Sequence, residues 1–132
     1  MTLDTSALVS VLFSERGHLS IVDRMLEADV LRVGAPTLAE VSMVFAGRVG
    51  RLQGSHDDRS VQDLIKELGI TVVPFGESEW HRAASAFARY GRGRHKAALN
   101  FGDCLSYATA ATAGDSLLFV GDDFMHTDVR KA

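Results

Sequence analysis

The stretch MTLDTSALVSVLFS, residues 1–14, places a short apolar strand directly before a helix. We expect the strand at 1–4 and the helix at about 6–14, and the same alternation recurs along the chain. Further strands are expected at 30–33, 70–75 and 117–120, and further helices at 18–28, 36–49, 57–68, 78–90 and 103–113. Residues 121–132 are expected to form an irregular tail with room for one more strand. Strands that alternate with helices predict an α/β domain with a mainly parallel sheet.

Length and composition limit the fold to one globular domain. The chain has 132 residues, 46% of them hydrophobic and 23% charged, which suits a single domain over 1–132. The net charge of −3 excludes overall attraction to nucleic acid, so any such contact needs a local basic patch or a bridging cation. A single cysteine excludes a disulfide framework, and no segment reaches the ~20 apolar residues of a membrane span. The expected location is the cytoplasm.

Acidic residues stand at the predicted ends of strands and starts of helices. Asp4 ends the first strand, and Asp122 and Asp123 follow the last one. Glu40 and Asp103 lie in the first turns of two helices. Because ligands of parallel sheets bind beyond the carboxyl ends of the strands, these positions predict one shared site.

Carboxylates that converge on one site need a cation or a proton to offset their repulsion. A hard divalent ion such as Mg²⁺ prefers carboxylate and water oxygens. Such an ion lowers the pKa of a bound water and offsets the charge of a phosphate. The pattern therefore indicates metal-dependent hydrolysis of a phosphodiester.

Each acid also has a structural alternative. Glu40 completes the pattern Thr-Leu-Ala-Glu at 37–40, which is typical of a capping box. Asp103 suits the positive end of its helix, Asp4 suits a helix N-cap, and the pair 122–123 suits a turn. Single acids are weak indicators, and only their joint placement favours a site.

Four blocks of sequence, taken together, resemble a known family. In order they are DTSAL at 4–8, TLAEV at 37–41, NFGDC at 100–104 and VGDDF at 120–124. The chain resembles the PIN-domain ribonucleases, and more narrowly the VapC-type toxins of type II toxin–antitoxin pairs. The stretch YGRGRH at 90–95 is also similar to that group, so the resemblance covers nearly the whole chain.

The resemblance implies a three-layer α/β/α sandwich with a short parallel sheet and an acidic pocket for Mg²⁺ or Mn²⁺. It implies endonuclease cleavage of RNA. Asp4, Glu40 and Asp103 match the first three catalytic acids of the family, and the first and third of these are expected to ligate the metal. Thr5 and Ser6 are expected to support the site by holding an acid or a metal-bound water.

The fourth acid departs from the family pattern. Many PIN domains carry an acid where Gly121 stands here. We expect Asp122 to take its place as a catalytic residue and metal ligand. Asp123 is a supporting residue and an alternative fourth acid, and Asp128 is a more distant candidate.

A basic stretch without acids runs from 82 to 96 in this acidic chain. Arg92, Arg94 and Lys96 in its loop are expected to bind RNA phosphates or an acidic partner segment. The structural alternative is a solvated helix face followed by an exposed loop. Cys104 is expected to be a core residue, and Trp80, Phe87 and Tyr90 are expected to pack in the core or against a partner.

The resemblance also implies partners: an RNA substrate, a cognate VapB-like antitoxin and a second copy of the chain in a homodimer. The antitoxin segment is expected to lie along a groove in the first 50 residues. Apolar side chains available for that groove are Leu12, Phe13, Leu19, Met43 and Phe45. The alternative function is a non-catalytic PIN-like binding module that acts in a partner complex or at an operator. An aspartyl-phosphate phosphohydrolase would need a second aspartate where Ser6 stands.

Overall fold

A computed structural model describes residues 1–53 and 59–132 as a parallel sheet with helices on both faces. The ten elements, in chain order, are β1 (Thr2–Leu3), α1 (Thr5–Leu12), α2 (His18–Leu26), β2 (Arg32–Gly34), α3 (Ala35–Gln53), α4 (Arg59–Glu67), β3 (Thr71–Val73), α5 (Glu77–Tyr90), α6 (Phe101–Ala113) and β4 (Leu117–Leu118). The predicted α/β class is confirmed. Among these helices, none combines the length and the apolar character that crossing a membrane requires.

In the strand order β3-β2-β1-β4, the topological switch point of the sheet lies between β1 and β4. All three neighbouring pairs are parallel, and Thr2 and Leu3 align with Leu117 and Leu118. Strands β2 and β3 lie on one side of β1, and β4 lies on the other side. In such sheets the crevice at the carboxyl ends of the two central strands is the usual ligand site.

Two apolar cores, one on each face of the sheet, produce the expected three layers. Leu118 packs with side chains of α1–α4, whereas its neighbour Leu117 packs with side chains of α5 and α6. Successive residues of a strand point to opposite faces, so these two contacts assign the helices to opposite layers. The larger core contains Leu3, Leu8, Met25, Val33, Val41 and Phe45, and the smaller one contains Tyr90, Leu99, Cys104, Tyr107, Phe119 and Phe124.

Gly34 lets helix α6 approach the sheet closely. A Cβ atom at this position would lie 2.6 Å from the hydroxyl oxygen of Thr109, which is far inside van der Waals contact. The glycine ends β2, and α3 begins at the next residue, Ala35. Strand β2, helix α3 and helix α6 therefore meet at the carboxyl end of β2.

The capping-box interpretation of residues 37–40 is wrong. Helix α3 begins at Ala35, so Thr37 lies inside its first turn and is buried. The Thr37 hydroxyl lies 3.3 Å from that of Ser106 in α6, and Glu40 makes its hydrogen bond elsewhere. Two interhelical contacts have replaced the local bonds that the pattern predicted.

The other predicted elements are present with different ends. All four strands are shorter than predicted, and α3 extends to Gln53 rather than ending near Val49. The predicted start of the fourth helix, at 57–58, lies outside the described residues. In the described tail, Lys131 pairs with Leu117 only as an isolated bridge, so no fifth strand forms there.

Candidate active site at the carboxyl end of the sheet

Asp4 is the first acid at the switch point between β1 and β4. It is the N-cap of α1, and its Oδ2 accepts hydrogen bonds from the Ser6 backbone N–H at 2.9 Å and the Ser6 hydroxyl at 2.5 Å. The Ser6 hydroxyl also accepts a hydrogen bond from the Val120 N–H at 3.0 Å. Ser6 thereby fixes Asp4, which is only 5% exposed, against the segment that follows β4. The N-cap alternative is confirmed, and it also sets the direction of this carboxylate.

Asp103 is held by a reciprocal capping box at the start of α6. Its Oδ2 accepts a hydrogen bond from the Asn100 N–H at 2.7 Å, and the Asn100 side-chain oxygen accepts one from the Asp103 N–H at 3.0 Å. The residue is 9% exposed. This pairing uses one carboxylate oxygen, and within the described residues no hydrogen bond engages the other.

Glu40 reaches the same place from α3. Its Oε2 accepts a hydrogen bond from the Thr5 hydroxyl at 2.6 Å, which links α3 to the first turn of α1. The carboxylate lies against Gly102, in the first turn of α6. The positive end of the α6 dipole favours a negative charge there.

The electrostatics of Asp103 show that four acids share this site. The pKa of Asp103 is raised to about 6, first by burial and then by the charges of Asp4, Asp123 and Glu40, against the opposing hydrogen bond from the Asn100 backbone. A raised carboxyl pKa means that the charged form lacks compensation. Residues far apart in the sequence are therefore close enough in the fold to repel one another.

Asp115, at the other end of the sheet, shows the usual arrangement by contrast. Its carboxylate accepts two hydrogen bonds from Arg32, at 2.9 and 3.1 Å, and one from the Thr2 hydroxyl at 3.0 Å. Although partial burial acts in the opposite direction, these bonds lower the pKa of Asp115. No ion pair from the described part of the chain reaches the four acids at the carboxyl end, so no cationic side chain neutralises them.

The donor set suits a hard divalent cation. In residues 1–53 and 59–132, no three acidic, histidine or cysteine side chains form a ready-made metal cage. Mg²⁺ does not require one, because it keeps several waters and binds proteins through one or two carboxylates. Asp4 and Asp103 each direct one carboxylate oxygen to the capping bonds and leave the other available. The residues present fit such an ion in charge and in donor type.

The three candidates for the fourth acid lie in different surroundings. Asp123 acts on the pKa of Asp103, and Asp122 is not among the strongest influences on it. Asp128 is bound elsewhere, since it accepts hydrogen bonds from Tyr107 at 2.6 Å and from Arg89 at 3.1 Å. Of the three, Asp123 is therefore the acid whose charge acts on Asp103.

The basic loop leads directly into the helix that carries Asp103. Arg92, Arg94 and Lys96 are exposed, and Arg92 is fixed by a backbone hydrogen bond to Leu99 at 3.0 Å. The Arg94 guanidinium lies 5.5 Å from the centre of the Phe87 ring. In the described residues no hydrogen bond or ion pair joins this loop to the acids, so its cations face solvent.

Cys104 and the aromatic residues of α5 belong to the layer formed by α5 and α6. Cys104 is 3% exposed, and burial raises the pKa of its thiol to about 11, so the predicted core role is confirmed. Trp80 and Phe87 are largely exposed and line an apolar groove of about 580 Å³ with Phe101. These two aromatic side chains therefore do not pack in the core of the isolated chain, whereas Tyr90 lies in the smaller core as expected.

Comparison with known proteins identifies the family. The sequence model of the PIN domain matches residues 1–130. The chain belongs to the PIN-domain family. It is also 42% identical over 130 residues to Ribonuclease VapC36 of Mycobacterium tuberculosis, which covers 98% of this chain and 91% of that protein. This PIN domain is therefore a member of the VapC group, as its sequence blocks indicated.

Solved structures confirm the fold of this PIN domain. VapC20 of Mycobacterium tuberculosis, described as a toxin that cleaves the sarcin–ricin loop, superposes with a TM-score of 0.73 at 15% identity, covering 99% of this chain and 97% of that one. A toxin–antitoxin complex from Klebsiella pneumoniae gives a TM-score of 0.68 at 18% identity, covering 96% and 92%. At these identities the likeness establishes the architecture alone.

Two residues of the site were not singled out from the sequence of this PIN domain. Asn100 orients Asp103, and its position three residues before an acid is the spacing of a capping box. Gly102 contacts Glu40, which is 62 positions earlier in the chain, so no local pattern indicates it.

Proposed function

We propose that this chain is a VapC-type endoribonuclease toxin that hydrolyses RNA phosphodiester bonds with a bound divalent cation, and that residues 1–132 act as one domain. The observation that carries the proposal is the convergence of four acids at the switch point without a cationic side chain among them, expressed in the raised pKa of Asp103. A site that stores negative charge at a cost to folding is expected where a cation and a phosphate must later be bound.

We assign binding of the ion, Mg²⁺ or Mn²⁺, to Asp4, Asp103 and Asp123. Asp123 takes the place that the sequence suggested for Asp122, because its charge acts on Asp103. When bound, the ion supplies a water of lowered pKa and positive charge opposite the phosphate. Glu40 lies beside Asp103 and is not assigned to the ion. Its carboxylate can accept a proton from the attacking water.

The hydroxyls of Thr5 and Ser6 hold these acids in place. Ser6 donates to Asp4 and accepts from Val120, and Thr5 donates to Glu40. Both residues lie in the first turn of α1, so one helix start orients its own N-cap acid, Asp4, and an acid of α3, Glu40. Fixed carboxylates need no reorganisation when the phosphate arrives, which lowers the barrier to hydrolysis.

We propose that Arg92, Arg94 and Lys96 bind phosphates of the RNA on either side of the scissile bond. The loop is exposed, carries no acid and continues into the helix of Asp103. Arginine binds phosphate through two parallel hydrogen bonds, so these cations can hold the backbone near a site that otherwise repels it.

The family further suggests a cytoplasmic protein with a VapB-like antitoxin and a homodimeric state. One structural relative is itself a toxin–antitoxin complex. Of the apolar residues expected to contact the antitoxin, Leu19 and Met43 are exposed at 67% and 73%, whereas Phe45 is buried against Phe13. The exposed pair supports a docking segment on the α1–α4 layer.

Cleavage of a defined RNA tests the activity. The purified chain is expected to cut RNA in Mg²⁺ and to stop in chelator, and Asp4→Asn and Asp103→Asn are expected to lower kcat at least a hundredfold. Asp122→Asn serves as the matched control for Asp123→Asn, which is expected to weaken metal binding more. RNA binding without metal-dependent cleavage of any RNA would instead identify the non-catalytic module.

A further inference from the structure

We infer that Gly102 is a positioning residue for the ribonuclease reaction: its missing side chain creates the space in which the Glu40 carboxylate sits between Thr5 and the start of α6. The inference rests on the proposed function and adds a residue to which no role has been given.

The evidence is steric. A Cβ atom built on Gly102 would lie 2.7 and 2.8 Å from the two carboxylate oxygens of Glu40 and 3.1 Å from its carboxyl carbon. Real Cβ atoms do not come this close to other heavy atoms, so any other side chain must move the carboxylate. The carboxylate is the end of a flexible side chain, so the fold can tolerate the substitution while Glu40 cannot keep its place.

The same geometry connects three elements of the site. The Glu40 carboxylate accepts a hydrogen bond from the Thr5 hydroxyl at 2.6 Å. Gly102, which it also contacts, immediately precedes Asp103 in α6. A displaced Glu40 therefore loses its bond to α1 and changes its distance from Asp103. The glycine sets the spacing of two acids that belong to different helices.

A helical backbone gives glycine no advantage of its own. Glycine lowers helix stability relative to alanine, and Gly102 has no positive φ angle that would require it. Gly47, in α3, is a matched control because it also lies in a helix and a Cβ there meets nothing within 4 Å.

The experiment compares Gly102→Ala with Gly47→Ala in the purified chain. Gly102→Ala is expected to lower kcat for a defined RNA at least tenfold with little change in KM, and to leave the melting temperature equal or higher. Gly47→Ala is expected to raise the melting temperature and leave kcat unchanged. A crystal structure of Gly102→Ala is expected to show the Thr5 Oγ1 to Glu40 Oε2 distance beyond hydrogen-bonding range.

A Glu40→Ala background separates the inference from a general loss of folding. There the carboxylate is absent, so adding Gly102→Ala is expected to leave the residual kcat unchanged and the melting temperature equal or higher. Wild-type kcat in Gly102→Ala, or a Glu40 carboxylate in its original place, would overturn the inference. The crystal and melting results are independent of cleavage, so they remain decisive even if the chain cuts no RNA.

Discussion

The charged carboxylate of Asp103 lowers the folding stability of the metal-free protein. This loss should be measurable as a dependence of stability on pH. Its ordinary pKa of 3.8 is raised to about 6 by burial and by neighbouring acids. The folded state therefore binds more protons than the unfolded state between these values, and its stability falls as the pH rises from about 4 to 6. Asp103→Asn keeps an oxygen for the Asn100 bond, so in chelator at pH 7 it should stabilise the chain by roughly 1 to 3 kcal/mol.

Urea unfolding at pH 7 and pH 4 checks this prediction. The gain from Asp103→Asn should shrink towards zero at the lower pH, because the wild-type carboxyl is then protonated. Mg²⁺ should stabilise the wild type and reduce the difference at pH 7. Asp23→Asn, at an exposed position of α2, serves as the control and should change little. An equal effect of Asp103→Asn at both pH values would contradict a raised pKa.

Individual acids were predictable from the sequence to the extent that they stood at the ends of predicted strands or the starts of predicted helices. Asp4 and Asp103 were identified from their positions at the ends of elements, and the fold brings them together. The choice between Asp122 and Asp123 could not be made in this way, because it depends on how the turn after β4 directs two adjacent side chains. Gly102 was missed because its role is defined by the absence of an atom next to a distant residue.

The contact between β2 and α6 gives a test at the level of elements. Gly34→Ala should push its Cβ against the Thr109 hydroxyl, which lies 2.6 Å from that point. Because Thr109 is branched at Cβ and buried, it cannot move aside freely, and the substitution should destabilise the chain by about 1 to 3 kcal/mol. Chemical unfolding provides the measurement.

Removing the Thr109 hydroxyl tests whether this contact causes the destabilisation by Gly34→Ala. In a Thr109→Ala background the hydroxyl is gone, and the remaining Cβ of residue 109 lies at an ordinary distance of 3.6 Å. Gly34→Ala should then cost little. A cost that persists undiminished in the double variant would mean that backbone conformation at Gly34, rather than this contact, requires glycine.

The order of strands and helices was predictable, because apolar periodicity reports which face of each element is buried. The ends were not. Helix α3 begins directly after β2, and Thr37 and Glu40 bond to α6 and α1 instead of capping their own helix. Tertiary contacts replaced local ones at the position where the site is built, and a sequence pattern carries no information on such partners.

At the scale of the whole molecule, charge is segregated rather than abundant. The chain carries a net charge of −3, four of its 17 acids converge at the carboxyl end of the sheet, and the exposed basic loop leads into the helix that carries one of them. RNA must therefore be held by few cations against a repulsive background. Affinity for RNA should be weak without divalent metal and should depend on salt through the loop alone.

A triple substitution of the loop tests this separation of charge. Binding is measured in the Asp103→Asn background, so that no RNA is cut during the titration. Arg92→Gln, Arg94→Gln and Lys96→Gln together should weaken binding and lower the slope of log affinity against log salt by about 0.7 for each single-strand phosphate that the loop ceases to neutralise. The control removes the same net charge from the opposite layer through Arg16→Gln, Arg24→Gln and Lys66→Gln. If the control changed the slope as much as the loop variant, total charge rather than the loop would govern RNA binding.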